Sequence, residues 1–257
     1  MVLYSMKDSQ NYQFKNYLIH HFEELDSTNS LAFSLAENKK IFANEIIVTN
    51  KQNKGRGRLD RKWESPIGNL YFSLVLQPKI TVEKISQISF VAICALQMAV
   101  EKTFESQKIV ATIQNKWPND LLIEQKKVAG ILLESKISNE NCEFVILGIG
   151  LNINSNPLQT LFPATNLKEF LCEISPLKIL EIFLEEFENL YENWLNFGFE
   201  NIRNLWHKNA YNLHSKIFIN HDKSMVEGIF QEIDKEGNLI LKTDNNLIKK
   251  ITFGDVC

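Results

Sequence analysis

The sequence predicts an α+β fold, a core of helices and sheet followed by a small all-β unit. Two apolar stripes at helical spacing, one near residues 81–105 and one starting at Pro176, indicate long helices with one face buried. Short β-branched and aromatic runs bounded by turn residues lie around them and read as strands. After about Tyr211 the helical period stops, and four short strands occupy the last 45 or so residues. That change puts a boundary within 208–216. It suggests an SH3-like barrel at 212–257 appended to a larger core at 1–211.

Asp26, Ser27, Thr28 and Asn29 offer side-chain oxygens for a helix N-cap, and Leu31, Leu35 and Ala36 follow at helical spacing. Residues 45–49 form a β-branched strand, 50–68 a polar, basic, glycine-bearing loop, and 69–77 (NLYFSLVLQ) a second strand. In the helix at 81–105 the stripe is Val82, Ile85, Ile88, Ala92, Ala95, Leu96 and Ala99, and Cys94 is expected in the core. Strands follow near 112–117, 121–124, 127–137 and 142–149. Pro176 suits a first helical turn, and Leu180, Phe183, Leu184, Phe187, Leu190, Tyr191 and Trp194 line the buried face of that helix. Strands at 215–219, 225–233, 238–242 and 248–252 complete the chain, with Glu236-Gly237-Asn238 as a tight turn.

A chain of 257 residues, 44 % hydrophobic and 23 % charged, is neither disordered nor collagen-like. It can bury one large core, or a large and a small one. A net charge of −3 opposes a dedicated nucleic-acid binder, so that role would need a local patch. The longest apolar stretch, 90–100, is interrupted by Gln97 and is too short to span a bilayer. Residues 1–15 include Lys7 and Asp8 and lack a signal-peptide core, so no membrane association is expected. Cys94, Cys142, Cys172 and Cys257 are far apart and form no C-x-x-C pair, which points to a reduced, cytoplasmic protein without a zinc site. The five histidines show no metal spacing: His20 and His21 are adjacent, and His207, His214 and His221 have only Asp222 as an acidic neighbour.

Three clusters carry chemistry. Lys51, Lys54, Arg56, Arg58, Arg61 and Lys62 crowd one loop against the single acid Asp60, and three of the chain's four arginines are among them. Gly55 and Gly57 between them permit close backbone approach to a ligand. Guanidinium forks and bare backbone N–H groups both suit phosphate oxygens. The loop is neither a Walker A sequence nor a dinucleotide fingerprint, and a plain solvated loop remains the alternative. Lys116-Trp117-Pro118-Asn119-Asp120 puts a lysine at a strand end before a turn. Gly148-Ile149-Gly150-Leu151-Asn152 sets two glycines where a strand meets a loop, for a flat ligand or a simple bulge.

Together these strings resemble the biotin protein ligases, that is, biotin–[acetyl-CoA-carboxylase] ligases, over about residues 19–256. The parts occur in family order: Asp26-Ser27-Thr28-Asn29, Lys51-Gln52, Gly55-Arg56-Gly57-Arg58 with Arg61 and Trp63, and Ser65-Pro66. Gly68-Asn69-Leu70-Tyr71, Lys116-Trp117-Pro118-Asn119-Asp120, Lys127-Val128-Ala129-Gly130-Ile131-Leu132-Leu133-Glu134 and Gly148-Ile149-Gly150-Leu151-Asn152 follow. The resemblance implies a class II aminoacyl-tRNA-synthetase-like core with a mixed or antiparallel sheet. It also implies MgATP-dependent formation of biotinyl-5′-AMP, then transfer of biotin to a lysine of a biotin carboxyl carrier domain. The acceptor would belong to an acetyl-CoA, propionyl-CoA or pyruvate carboxylase.

By the same resemblance, Lys116 and Arg58 are the catalytic pair. Lys116 would hold biotin's carboxylate beside the α-phosphate, and Arg58 would retain the acyl-adenylate. Ser27, Thr28, Gln52, Gly55, Arg56, Gly130 and Gly148 fall to biotin, together with Lys116. Arg56, Gly57, Arg58, Arg61, Trp63, Asn119, Lys127, Gly150 and Asn152 fall to ATP and the adenylate. Ser27 and Thr28 could serve as helix caps only, and Trp63 as a core residue. Mg2+ would arrive through the phosphates, with no protein ligand assigned.

Because the mixed anhydride hydrolyses readily, water must be excluded, and the loop at 51–61 is expected to be mobile until ligand orders it. Two departures stand out: Asp60 replaces a glycine of many relatives, and the tail reads Phe253-Gly254-Asp255-Val256 instead of a Gly-Glu ending. Only about 20 residues precede His20-His21-Phe22, too few for the winged helix of repressor-type relatives, so no specific DNA binding is expected. The carrier could dock by strand addition on an edge near 120–137 or on the C-terminal barrel. Dimer formation is left open. A lipoate or octanoate ligase or transferase on the related fold is the alternative, and a nucleic-acid-binding module using the basic loop is a third.

Overall fold

The computed structural model describes residues 9–139, 141–160, 162–221 and 224–256. Residues 1–8, Asp222, Cys257 and the side chains of Asp60 and His221, all considered above, lie outside the described residues. The first sheet has eight strands: β1 (Gln10–Phe14), β2 (Tyr17–Leu25), β3 (Glu45–Gln52), β4 (Leu70–Leu76), β5 (Ile113–Lys116), β6 (Asp120–Ile123), β7 (Lys126–Ser138) and β8 (Asn141–Leu151). Their order is β1-β2-β3-β4-β8-β7-β6-β5. Only β2 and β3 are parallel, joined by the crossover helix α1 (Thr28–Glu37). The expected mixed sheet is present.

Helices α2 (Gln87–Ser106) and α3 (Pro176–Phe197) cover one face of this sheet, and α1 covers the other. The central strand β4 is therefore buried along its whole length, and it alternates as a pleat must. Leu70, Phe72, Leu74 and Leu76 enter the large core beneath α2 and α3, whereas Val75 joins Phe22, Leu25, Leu35, Ile47, Phe144 and Ile146 beneath α1. A second sheet is antiparallel throughout: β9 (Lys216–His221), β10 (Ser224–Ile233), β11 (Leu239–Lys242), β12 (Ile248–Ile251) and β13 (Asp255–Val256), in the order β12-β11-β10-β9-β13. Its inner residues Ile217, Ile219, Phe230, Leu239 and Leu241 continue the large core.

Several sequence expectations are corrected. The strand at 45–49 runs on to Gln52, and the loop after it contains a 3-10 turn at Arg58–Asp60. The helix expected at 81–105 begins as a 3-10 turn, Val82–Lys84, before the α-helix starts at Gln87. Counted together, Val82–Ser106 is long and apolar enough to cross a membrane, longer than the stretch at 90–100 suggested. In the fold it is the core helix under the sheet, with Val91, Ala92, Cys94, Ala95, Leu96 and Ala99 all buried. The strands β1, β2 and β13, and the helix α4 (Glu200–Lys208), were not anticipated.

Candidate active site

Cross-strand register builds the site. Lys116 pairs with Asp120, Asp120 with Gly130, Gly130 with Gly150, and Gly150 with Tyr71. Directly paired residues point to the same face, so this single row puts a cation, an acid and two side-chain-free positions side by side. The next row along, Leu132, Gly148 and Ser73, lies just beyond the N-terminus of α1. Farther along β8, the same face turns apolar at Ile146 and Phe144 and is covered by α1. The uncovered end is a cavity of about 530 Å³.

Fifteen of the sixteen residues singled out above line that cavity: Ser27, Thr28, Gln52, Arg56, Gly57, Arg58, Arg61, Trp63, Lys116, Asn119, Lys127, Gly130, Gly148, Gly150 and Asn152. Gly55 does not. It is buried, and a Cβ there would lie 2.4 Å from the Trp63 carbonyl and 2.5 Å from Ser65 Oγ, so its missing side chain lets the loop fold on itself. The packing gives Gly55 a role in shaping the loop, beside its expected place near biotin.

The two ends of the cavity differ in chemistry. At the α1 end Ser27 is the N-cap, its Oγ accepting from Ser30 N–H at 3.4 Å. Thr28 donates to Gln52 Oε1 from both its backbone N–H (2.9 Å) and its hydroxyl (3.2 Å). Gln52 Nε2 donates to Ser65 Oγ at 2.9 Å. At the other end Lys116 is only 5 % exposed, with its Nζ 3.8 Å from Asp120 Oδ2 and 4.0 Å from the centre of the Phe162 ring. Lys127 Nζ lies 2.6 Å from Asp120 Oδ1. Arg58 Nη1 donates to Asn119 Oδ1 at 3.2 Å, and Asn119 Nδ2 donates to the Ile131 carbonyl. Burial pulls the Arg58 guanidinium below its ordinary pKa, while Asp255 and Asp120 act in the opposite direction.

Between the ends, the Trp63 indole lies on the Gly130–Gly150 pair: a Cβ on Gly150 would be 2.4 Å from its Nε1, and one on Gly130 3.2 Å from its ring. That Nε1 and Asn152 Oδ1 are buried without a hydrogen-bond partner among the described residues. Among the described residues no group of three or more His, Cys, Asp or Glu is placed to hold a metal ion.

Residues 21–152 match the Biotin/lipoate A/B protein ligase family, and residues 221–257 match the Biotin protein ligase C terminal domain. The chain is 34 % identical to the bifunctional ligase/repressor BirA of Bacillus subtilis, over 93 % of its own length and 73 % of that protein's. It is 34 % identical to the biotin–[acetyl-CoA-carboxylase] ligase of Paracoccus denitrificans, over 84 % and 91 %. The chain belongs to the biotin protein ligase family. Among solved structures, the biotin protein ligase from Aquifex aeolicus in complex with biotin and ATP superposes with a TM-score of 0.77 at 27 % identity, covering 95 % of this chain and 98 % of that one.

Within this ligase fold, several cavity residues escaped the sequence. Asn29 sits under Gly148, Phe162 over Lys116, and Asp255 comes from the far end of the chain. Glu134 takes Arg56 Nη2 on both carboxylate oxygens, at 2.9 and 2.8 Å, and accepts from Asn29 Nδ2 at 2.9 Å. Glu134 and Asn29 lie within the family-like strings, and Asp255 within the tail that departs from a Gly-Glu ending, but nothing local says which cation each faces. Phe162 carries no such signal, because only tertiary folding brings it in.

Proposed function

We propose that the chain activates biotin with ATP and transfers it to a lysine of a biotin carboxyl carrier domain. Support comes from family membership and from one cavity that joins a neutral polar end to a cationic end through the Lys116–Gly150 row. Biotin's ureido ring would take the end at Ser27, Thr28 and Gln52, and its carboxylate would reach Lys116. The carboxylate oxygen attacks the α-phosphorus, the bond to the β-phosphate breaks, and pyrophosphate leaves. The carrier's neutral amine then attacks the acyl carbon, AMP leaves, and the amine loses a proton.

Two anions must meet in the first step. Lys116, Lys127, Arg58 and Arg61 supply the fixed positive field that lowers its barrier, and burial strengthens that field. Trp63 and Asn152, on the wall of the cavity, are the proposed neighbours of the adenylate. Magnesium would enter on the phosphates, retaining water ligands as it commonly does, and would neutralise charge there. The roles of Gly57, Gly130, Gly148 and Gly150 are to keep the wall thin.

The finer architecture is also part of this proposal: a class II synthetase-like core at 1–211 and an SH3-like barrel at 212–257. Strand β7 pairs with β6 only as far as Gly130, so beyond Ile131 it offers an open edge on which a carrier strand could add. A cytoplasmic setting accords with Cys94, Cys142 and Cys172 being free and buried.

Transfer of labelled biotin from biotin and ATP to a carrier domain tests the whole. Lys116→Ala should reduce biotin-dependent ATP–pyrophosphate exchange by roughly 100- to 1000-fold with an unchanged melting transition. Absence of transfer by the wild type, or exchange supported by lipoate in place of biotin, would refute the assignment.

A further inference from the structure

Both arginines at the phosphate end share one carboxylate. Asp255 lies on β13, the short last strand of the second sheet, where it pairs with Asn220. Its Oδ2 is 2.5 Å from Arg61 Nη2 and its Oδ1 3.6 Å from Arg58 Nη1. Arg58 also donates to the Gly254 carbonyl at 3.4 Å, so two consecutive residues of the tail engage it. Asp255, Arg58 and Arg61 all line the cavity. Two guanidinium groups converging on one pair of anionic oxygens reproduce what a phosphate would ask of them. Arg56 is arranged differently: Glu134 on the first sheet takes it, away from Asp255.

Resting on the ligase assignment, we propose that Asp255 is a positioning residue that aligns Arg58 and Arg61 before nucleotide binds and surrenders them to the nucleotide's phosphates. A carboxylate and a phosphate cannot share two guanidinium groups without repulsion between the anions. Nucleotide binding thus exchanges one anion for the other and detaches the C-terminal strand from the basic loop. Asp255 costs nucleotide affinity and in return holds the arginines in register before the nucleotide arrives.

The test uses the full chain and α,β-methylene-ATP, which cannot be cleaved at the reacting bond. Asp255→Asn should bind it about fivefold more tightly, the scale expected for releasing partly exposed ion pairs, and should lower the KM for ATP without shifting the KM for biotin. Asp255→Glu should return both values toward wild type. A double-mutant cycle of Arg61→Gln with Asp255→Asn, read by thermal melting, should show coupling without nucleotide and none at saturation. Equal or weaker analogue binding by a folded Asp255→Asn protein, or coupling that persists at saturation, overturns the proposal. Wild-type pyrophosphate exchange is scored separately, so its loss would count against the ligase assignment and not against the anion exchange.

Discussion

Gly148 lies so near Asn29 that a Cβ would sit 2.0 Å from Asn29 Oδ1. The missing side chain makes room for the protein's own amide, which in turn reaches Glu134 and, through it, Arg56. Ser73 Oγ is 2.5 Å from the same Asn29 oxygen, so the amide has nowhere to retreat. Gly148→Ala should therefore cost about 1–3 kcal/mol, the range for overpacking a filled site, and should weaken biotin binding as Thr28 and Asn29 shift. Urea denaturation together with a biotin titration would check this; stability and affinity both unchanged would refute it. At this scale the cations were legible, because scarce arginines clustered in one loop and Lys116 ended a strand. The partners Asn29, Phe162 and Asp255 were not, since polar or aromatic identity alone does not say which charge a residue will face.

The basic loop is latched at two places, Glu134 on β7 and Asp255 on β13. Leu59, at its tip, has a left-handed backbone (φ 54°) and is 66 % exposed, leaving the tip with little packing to hold it. Partly exposed ion pairs contribute on the order of 1 kcal/mol each, so the loop should open readily and close over bound ligand. Glu134→Ala should speed tryptic cleavage after Arg56, Arg58 and Arg61, and biotin plus ATP should slow it in the wild type. Cleavage rates insensitive to both changes would sink the latch. Long helices and central strands were legible because burial on one or both faces imposes an uninterrupted period. The strand β2 (YLIHHFEEL) was not, as His20, His21, Glu23 and Glu24 dilute its apolar set. Helix α4 buries only Ile202 and Trp206, a pair too short to declare a stripe.

Over the whole molecule, the two sheets share one apolar core, and what joins them is as polar as it is oily. Trp206 packs edge-on against Phe90 and Phe230, bringing α4, α2 and β10 together. Trp117 Nε1, from the turn after Lys116, donates to the Gly237 carbonyl at 3.0 Å, tying the β5–β6 hairpin to the second sheet. None of these pairings leaves a local pattern in the chain, which is why the change of period near Tyr211 was visible but the contact across it was not. His207 completes the joint: its Nε2 accepts the Ile233 N–H at 2.9 Å, which requires that nitrogen to be unprotonated. Burial, reinforced by the nearby Arg203 charge, lowers its pKa, although Glu232 and Glu200 oppose the shift. An imidazole with a native pKa below its unfolded value of about 6.5 takes up its proton more easily in the unfolded chain. The stability that neutral His207 contributes is thus complete at neutral pH and above, and that contribution falls as pH drops below about 6.5. His207→Gln can still accept that N–H through its side-chain oxygen but does not titrate. The melting temperature of the wild type should therefore fall more steeply than that of His207→Gln between about pH 7.5 and 5.5, and parallel slopes for the two proteins would show that His207 does not control the joint.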